Sequence, residues 1–223
     1  MELQELEKNI EYKFKNINLL KKALTHTSYA NEHNVESNEK LEYLGDSILE
    51  FISSKYLFNE YKNLNEGEMT KVRATVVCED SLYKIAIKHN FSDFLYLGKS
   101  ERMNNGHLSK AILADSVEAV IAAIYLDSNI ECVEKFIISN LSSPIELASK
   151  NVGNKDYKTV LQEKLQVNGN VNIKYSILNE KGPDHDKIFE SIVQLNGKEI
   201  GRGIGKSKKL SEMEAAKNAL EKI

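Results

Sequence analysis

Along the first two thirds of the chain, apolar residues recur at spacings of three and four, the period that gathers them on one face of a helix. The pattern runs through Ile17–Leu24, Leu41–Tyr56, Met69–Ile87 and Ile112–Leu126, and apolar-polar alternation is missing there. The polar stretch Ser149–Lys155 then reads as a linker. Beyond it the period changes. Tyr157–Val167 predicts a helix, and Val171–Ile177 alternates as a half-buried strand does. Lys181-Gly182-Pro183-Asp184 predicts a turn, and Ile188–Leu195 and Glu199–Ile204 predict two strands about an Asn196-Gly197 hairpin. Lys208–Ile223 predicts a closing helix. The expected architecture is an all-α domain over residues 1–149, a linker over 150–155, and a small α+β domain of order α-β-β-β-α over 156–223.

Composition adds little until the chain is divided. With 223 residues, 41% hydrophobic and 28% charged, it has room for two cores that close without disulfides. Cys78 and Cys132 are its two cysteines and read as buried, reduced thiols. The start, Met1-Glu2-Leu3-Gln4-Glu5, lacks the basic-then-apolar pattern of a secretory signal, and no apolar run reaches the ~18 residues of a membrane span. A soluble, cytoplasmic protein with no membrane partner is expected. The net charge is -3, yet residues 155–223 carry 13 Lys and Arg against 10 Asp and Glu, while the remainder carries 17 against 23. The basic end and the acidic body are suited to different tasks.

The acids of the body are not scattered. In the segment Asn38–Phe51, about 100° per residue brings Glu39, Glu42 and Asp46 into one narrow sector of a helix. Leu41, Leu44, Ile48 and Phe51 take the opposite side. Like charges one turn apart repel, and only Lys40 is near enough to offset them. Gly45, inside that helix, costs about 1 kcal/mol relative to Ala and suggests close backbone approach.

The segment Ala111–Ile124 is apolar almost all round, so its helix belongs inside the protein. Asp115 and Glu118 nevertheless lie one turn apart on it, and Lys and Arg are absent from Ala111 through Leu126. Two ionised carboxylates in such surroundings cost several kcal/mol unless a cation meets them. Glu42, Asp46, Asp115 and Glu118 together offer only oxygen ligands, a set that favours Mg²⁺, with Mn²⁺ as substitute, over zinc. The Glu-x-x-His pairs of a di-iron bundle do not occur in the chain. His26, His33, His89 and His107 read as structural or exposed.

These residues resemble a family. Asn38–Phe51 is similar to the signature box of ribonuclease III. Glu66–Ala74, Ile112–Ala119 and Ala23–Tyr29 resemble three further blocks of its nuclease domain. The resemblance implies that Glu42, Asp46, Asp115 and Glu118 bind catalytic Mg²⁺, with Asp46 and Glu118 closest to the chemistry. It implies that Glu39 and Glu66 line the same cleft, and that two chains form a homodimer cutting both strands of an RNA duplex. Staggered cuts would leave 5′-phosphate and 3′-hydroxyl ends with a short 3′ overhang, in ribosomal-precursor and messenger processing. Such chemistry suits carboxylates, because a metal ion can activate water and stabilise both the phosphorus charge and the leaving alkoxide.

Residues 156–223 resemble a double-stranded RNA-binding domain, through Tyr157–Glu163, Gly182–His185 and Gly203–Lys209. By that resemblance Gln162, Glu163 and His185 touch minor grooves, while Lys206, Ser207, Lys208 and Lys209 hold phosphates at a helix start. Ser211 departs from the small apolar Ala usual there. An inactive RNA-binding relative of the same fold is the alternative, and all six filled acidic positions weigh against it.

Overall fold

Apolar residues on every side of the Lys110–Asp127 segment decide the architecture of the first unit. The computed structural model describes residues 3–152, 157–166, 171–183 and 187–223. Its contacts separate Met1–Gly153 from Asn154–Ile223. The first unit runs through α1 (Leu3–Asn9), α2 (Ile17–Ala23), α3 (Thr27–His33), α4 (Glu39–Glu60), α5 (Glu66–Val76), α6 (Glu79–Lys88), α7 (Lys99–Met103), α8 (Lys110–Asp127) and α9 (Ile130–Val152). Helix α8 is its centre, with α4, α6, α2 and α9 packed around it. Ile112 to Ile124 on α8 is buried except at Asp115 and Glu118.

Several elements differ from the sequence expectation. The helical period through Met69–Ile87 is interrupted at Cys78, which caps α6 in an extended conformation. The period runs on unbroken because Val72 and Val76 of α5 and Leu82 and Ile85 of α6 enter the same core. Cys78 and Cys132 are partly exposed rather than buried, the first because it lies in this turn. Phe51 is 58% exposed, on the outside of α4 rather than in the core. Residues 150–152, expected in the linker, are the last turn of α9. That helix buries Val133, Phe136, Ile137, Leu141, Ile145 and Ala148 at helical spacing despite Pro144. Residues 153–155 of the expected linker lie outside the described residues.

The second unit holds α10 (Tyr157–Gln166), β1 (Ile173–Lys181), β2 (Ile188–Leu195), β3 (Lys198–Gly205) and α11 (Lys208–Leu220). The sheet is antiparallel in the order β1-β2-β3. Asn196 at φ 50° and Gly197 at φ 84° make the tight turn between β2 and β3. Strand β1 extends through Lys181, with a bulge between Ile177 and Asn179, so Lys181 is in the strand rather than in the expected turn, whose Asp184 lies outside the described residues. Leu161, Val193, Ala215, Ala216 and Ala219 form the small core. It closes because α11 lies directly on β3, where a Cβ on Gly203 would fall 2.2 Å from the Ala215 nitrogen. Ser211 is fully buried, yet its hydroxyl donates to the Lys208 carbonyl at 2.9 Å and lies 2.6 Å from the Ser191 hydroxyl. The paired serine on β2 satisfies the extra oxygen, so α11 packs without an orphaned group.

Candidate metal centre

Two helices build the site. Glu39 and Glu42 stand in the first turn of α4 and Asp46 one turn further. Asp115 and Glu118 interrupt the apolar surface of α8, against which α4 packs. The approach is close at one point. A Cβ on Gly45 would fall 1.8 Å from the carbonyl oxygen of Glu118, so only a glycine lets the two backbones meet there.

The resulting field is negative and poorly compensated. Glu42, Asp115 and Glu118 are partly buried, whereas Asp46 is exposed. Burial pushes the Glu118 carboxyl up to about 8, and Asp46, Asp115 and Glu42 push it the same way. Glu42 is raised by burial, then by Asp115, Glu39 and Asp46. Asp115 is raised by burial and by Glu79, with His26 the opposing influence. Lys110 does not neutralise the group, because its ammonium pairs with Asp80 and reaches Glu79 at 4.0 Å. Among the described residues, no three His, Cys, Asp or Glu side chains converge as a finished ligand set. Asp46, Asp115 and Glu42 all bear on the Glu118 carboxyl, so the acids of α4 and α8 share one field.

The remaining sequence candidates separate. Glu39 is exposed and accepts a hydrogen bond from the Ser37 hydroxyl at 2.9 Å. Glu66 begins α5 and lines a groove with Leu57 and Phe58, at the opposite end of α4 from Glu42. Phe58 lies about 24 Å along the helix from Glu42. Glu66 is therefore remote from its own chain's Glu42. Two neighbours of Asp115 were missed. Glu79 opens α6 beside Asp115, and His26 caps α3 through Nδ1, which accepts from the Ser28 amide at 3.2 Å. Glu79 carried no signal beyond its place at a helix start, whereas His26 lies in the Ala23–Tyr29 block and reads from the sequence as structural or exposed.

In the second unit, Ser207 caps α11 by accepting from the Leu210 amide at 3.2 Å. Lys208 and Lys209 stand exposed in the first turn, with Lys206 exposed just before it. Gln162 and Glu163 are exposed on α10. His185 lies outside the described residues.

A helical unit holding opposed carboxylates, followed by a small unit with a basic helix start, defines a protein of the nuclease class with a nucleic-acid-binding appendage. Residues 16–145 match the ribonuclease-III-like family and residues 157–223 the double-stranded RNA binding motif. The chain is 45% identical over 224 residues to Ribonuclease 3 of Clostridium tetani, covering 100% of this chain and 95% of that one. It is 45% identical over 223 residues to Ribonuclease 3 of Listeria monocytogenes, covering 99% and 97%. The solved nuclease domain of ribonuclease III from Campylobacter jejuni is similar at a TM-score of 0.59 and 36% identity, covering 63% of this chain and 99% of that one. The chain belongs to the ribonuclease III family of endoribonucleases.

Proposed function

We propose that the protein hydrolyses double-stranded RNA with Mg²⁺, or Mn²⁺ in its place, held by Glu42, Asp46, Asp115 and Glu118. The observation that carries this reading is the crowding of the four acids, which together with burial raises the Glu118 carboxyl to about 8. Bound there, the ion supplies Lewis acidity toward water and phosphate. The protein's own work is to orient and exclude. Helix α8 fixes Asp115 and Glu118 on a buried backbone, and α4 presents Glu42 and Asp46 from the facing side. Glu118 holds a proton at neutral pH until a cation displaces it. Products are 5′-phosphate and 3′-hydroxyl ends with short 3′ overhangs, and the RNAs served are ribosomal precursors and messages in the cytoplasm. Gln162, Glu163 and His185 touch minor grooves while Lys206, Ser207, Lys208 and Lys209 hold phosphates, a mode that senses A-form shape.

Glu66 is explained by a second copy of the chain. Helix α4 exposes Tyr43 by 79%, Phe51 by 58% and Phe58 by 66%, an apolar stripe on an otherwise polar surface. The groove of about 220 Å³ lined by Leu57, Phe58, Met69 and Glu66 lies at the far end of that stripe. A two-fold axis across α4 seats Tyr43 of each copy in the groove of the other and brings each Glu66 beside the opposite acid cluster. Tyr43→Asp is expected to convert a dimer to a monomer in analytical ultracentrifugation and to lower cleavage by at least about tenfold. A dimer unchanged by this substitution rules out the Tyr43 contact.

The metal reading has a direct test in stability. The carboxyl of Glu118 titrates higher in the folded chain than at its ordinary value of 4.5. Between about pH 4.5 and about pH 8 the native state therefore binds the extra proton, and stability of the metal-free protein falls as pH rises. Raised Glu42 and Asp115 act in the same direction. Mg²⁺ should reverse this loss, so the rise in Tm on adding Mg²⁺ is expected to be larger near about pH 8 than near about pH 6. Calorimetry with Mg²⁺ and with EDTA reads it, beside cleavage of a labelled duplex. An Mg²⁺-induced rise equal at both pH values would remove these acids from the metal site.

A further inference from the structure

A second cleft, of about 690 Å³, opens between the end of α1, the end of α6 and the outer side of α9. It lies far from the acids. Tyr12 on its wall donates to Asp127 at 2.7 Å, at the C-terminal end of α8, about 18 Å along that helix from Asp115.

The cleft collects positive charge. His89 is 8% exposed, and each of its ring nitrogens faces an acceptor. Nδ1 lies 2.6 Å from the Asn9 carbonyl oxygen, which can only accept. Nε2 lies 2.9 Å from Oδ1 of Asn140. That amide cannot turn round, because its Nδ2 donates to the Phe136 carbonyl at 2.8 Å while its Oδ1 accepts from Lys88 Nζ at 2.8 Å. Both ring nitrogens of His89 are therefore engaged within the protein, and the ring walls the cleft without a nitrogen left for a ligand. Phe91 and Phe136 pack around the ring, with centroids 6.4 and 5.8 Å from it.

Lys88 and Lys135 line the same cleft, and Glu11 is its one carboxylate. Among the described residues neither lysine makes an ion pair, whereas Lys55, Lys110 and Lys150 each have an acid partner. Two lysines against one carboxylate, in a concavity with a partly apolar wall, attract an anion and dehydrate it. The volume falls in the range of small-molecule sites. Ile10 and Phe136 offer the apolar wall, and Lys135 and Asn90 the donors, since both ring nitrogens of His89 are already engaged.

We infer that this cleft binds a small phosphorylated molecule of nucleotide size, at a site separate from the carboxylate centre. A rigid RNA duplex is about 20 Å wide and meets convex or shallow surfaces, so it would reach exposed lysines but not the recess over His89.

The experiment is calorimetric titration of the full chain in EDTA with inorganic phosphate, pyrophosphate, AMP and ATP. Wild type should bind at least one of them saturably, one per chain, with Kd below about 1 mM. Lys135→Gln and Lys88→Gln should each weaken that binding at least about tenfold, with Mg²⁺-dependent duplex cleavage unchanged. No saturable binding of any probe, or equal affinity in both variants, overturns the proposal. So does displacement of the bound probe by a short RNA duplex whose own affinity falls in Lys135→Gln, since the cleft would then be a backbone contact.

Discussion

Glu118→Gln is expected to abolish duplex cleavage, by on the order of a thousandfold or more, while leaving duplex binding in EDTA within about twofold. Gln has nearly the shape of Glu but neither its charge nor its second anionic oxygen, so a cation site loses a ligand while the packing of α8 is kept. The same substitution should make the metal-free protein more stable near pH 8. Wild-type Glu118 is held up to about 8 by burial and three neighbouring acids, and the neutral amide relieves that repulsion. The pH dependence of Tm should flatten accordingly, and the Mg²⁺-induced rise should shrink. A gain in stability coupled to a loss of activity marks a group retained for chemistry rather than for folding. Cleavage at the wild-type rate would exclude Glu118 from the site. Wild-type protein that binds duplex RNA but never cuts it with Mg²⁺ or Mn²⁺ would instead support the inactive binding relative.

The sequence carried the acids further than it carried the geometry around them. Asp115 and Glu118 were conspicuous because nothing else on α8 is charged until its ends, and the structure leaves both partly exposed on an otherwise buried helix. Helical period also located α4 and α8. It could not locate the break at Cys78, since α5 and α6 feed one core and keep the apolar phase across the turn. Nor could it place Phe51, whose apolar side chain fits a core face by period but lies outside. An apolar residue on the wrong face is legible only when its partner is known, and the stripe Tyr43, Phe51 and Phe58 points to a second chain. Glu66 shows the same limit. Its block is plain in the sequence, but its separation from Glu42 along α4 depends on which end of that helix α5 meets. The sequence reads His89 as structural or exposed, and the first of these holds. Its buried position between Asn9 and Asn140 is set by residues about eighty and fifty positions away, beyond any local pattern.

Gly45→Ala is expected to separate activity from stability in the opposite way. The added Cβ would stand 1.8 Å from the Glu118 carbonyl oxygen and 2.5 Å from its carbon, and backbone atoms cannot swing aside as a side chain can. Helix α4 must therefore shift against α8, carrying Glu42 and Asp46 away from Asp115 and Glu118. Overpacking of this kind costs about 1–3 kcal/mol, and the better helix propensity of Ala returns up to about 1 kcal/mol. The net fall in Tm should thus be a few degrees for a unit of this size. Activity should fall much more, by about a hundredfold, because a displacement of about 1 Å misaligns reacting groups. Gly67→Ala supplies the control, since its Cβ would meet nothing nearer than the Asn65 side chain at 3.5 Å on the exposed start of α5. It should be neutral or slightly stabilising and should cut normally. If Gly45→Ala melted like wild type and cut like wild type, α4 and α8 would have slack at their crossing. The close backbone contact would then not be what sets the spacing of the four acids.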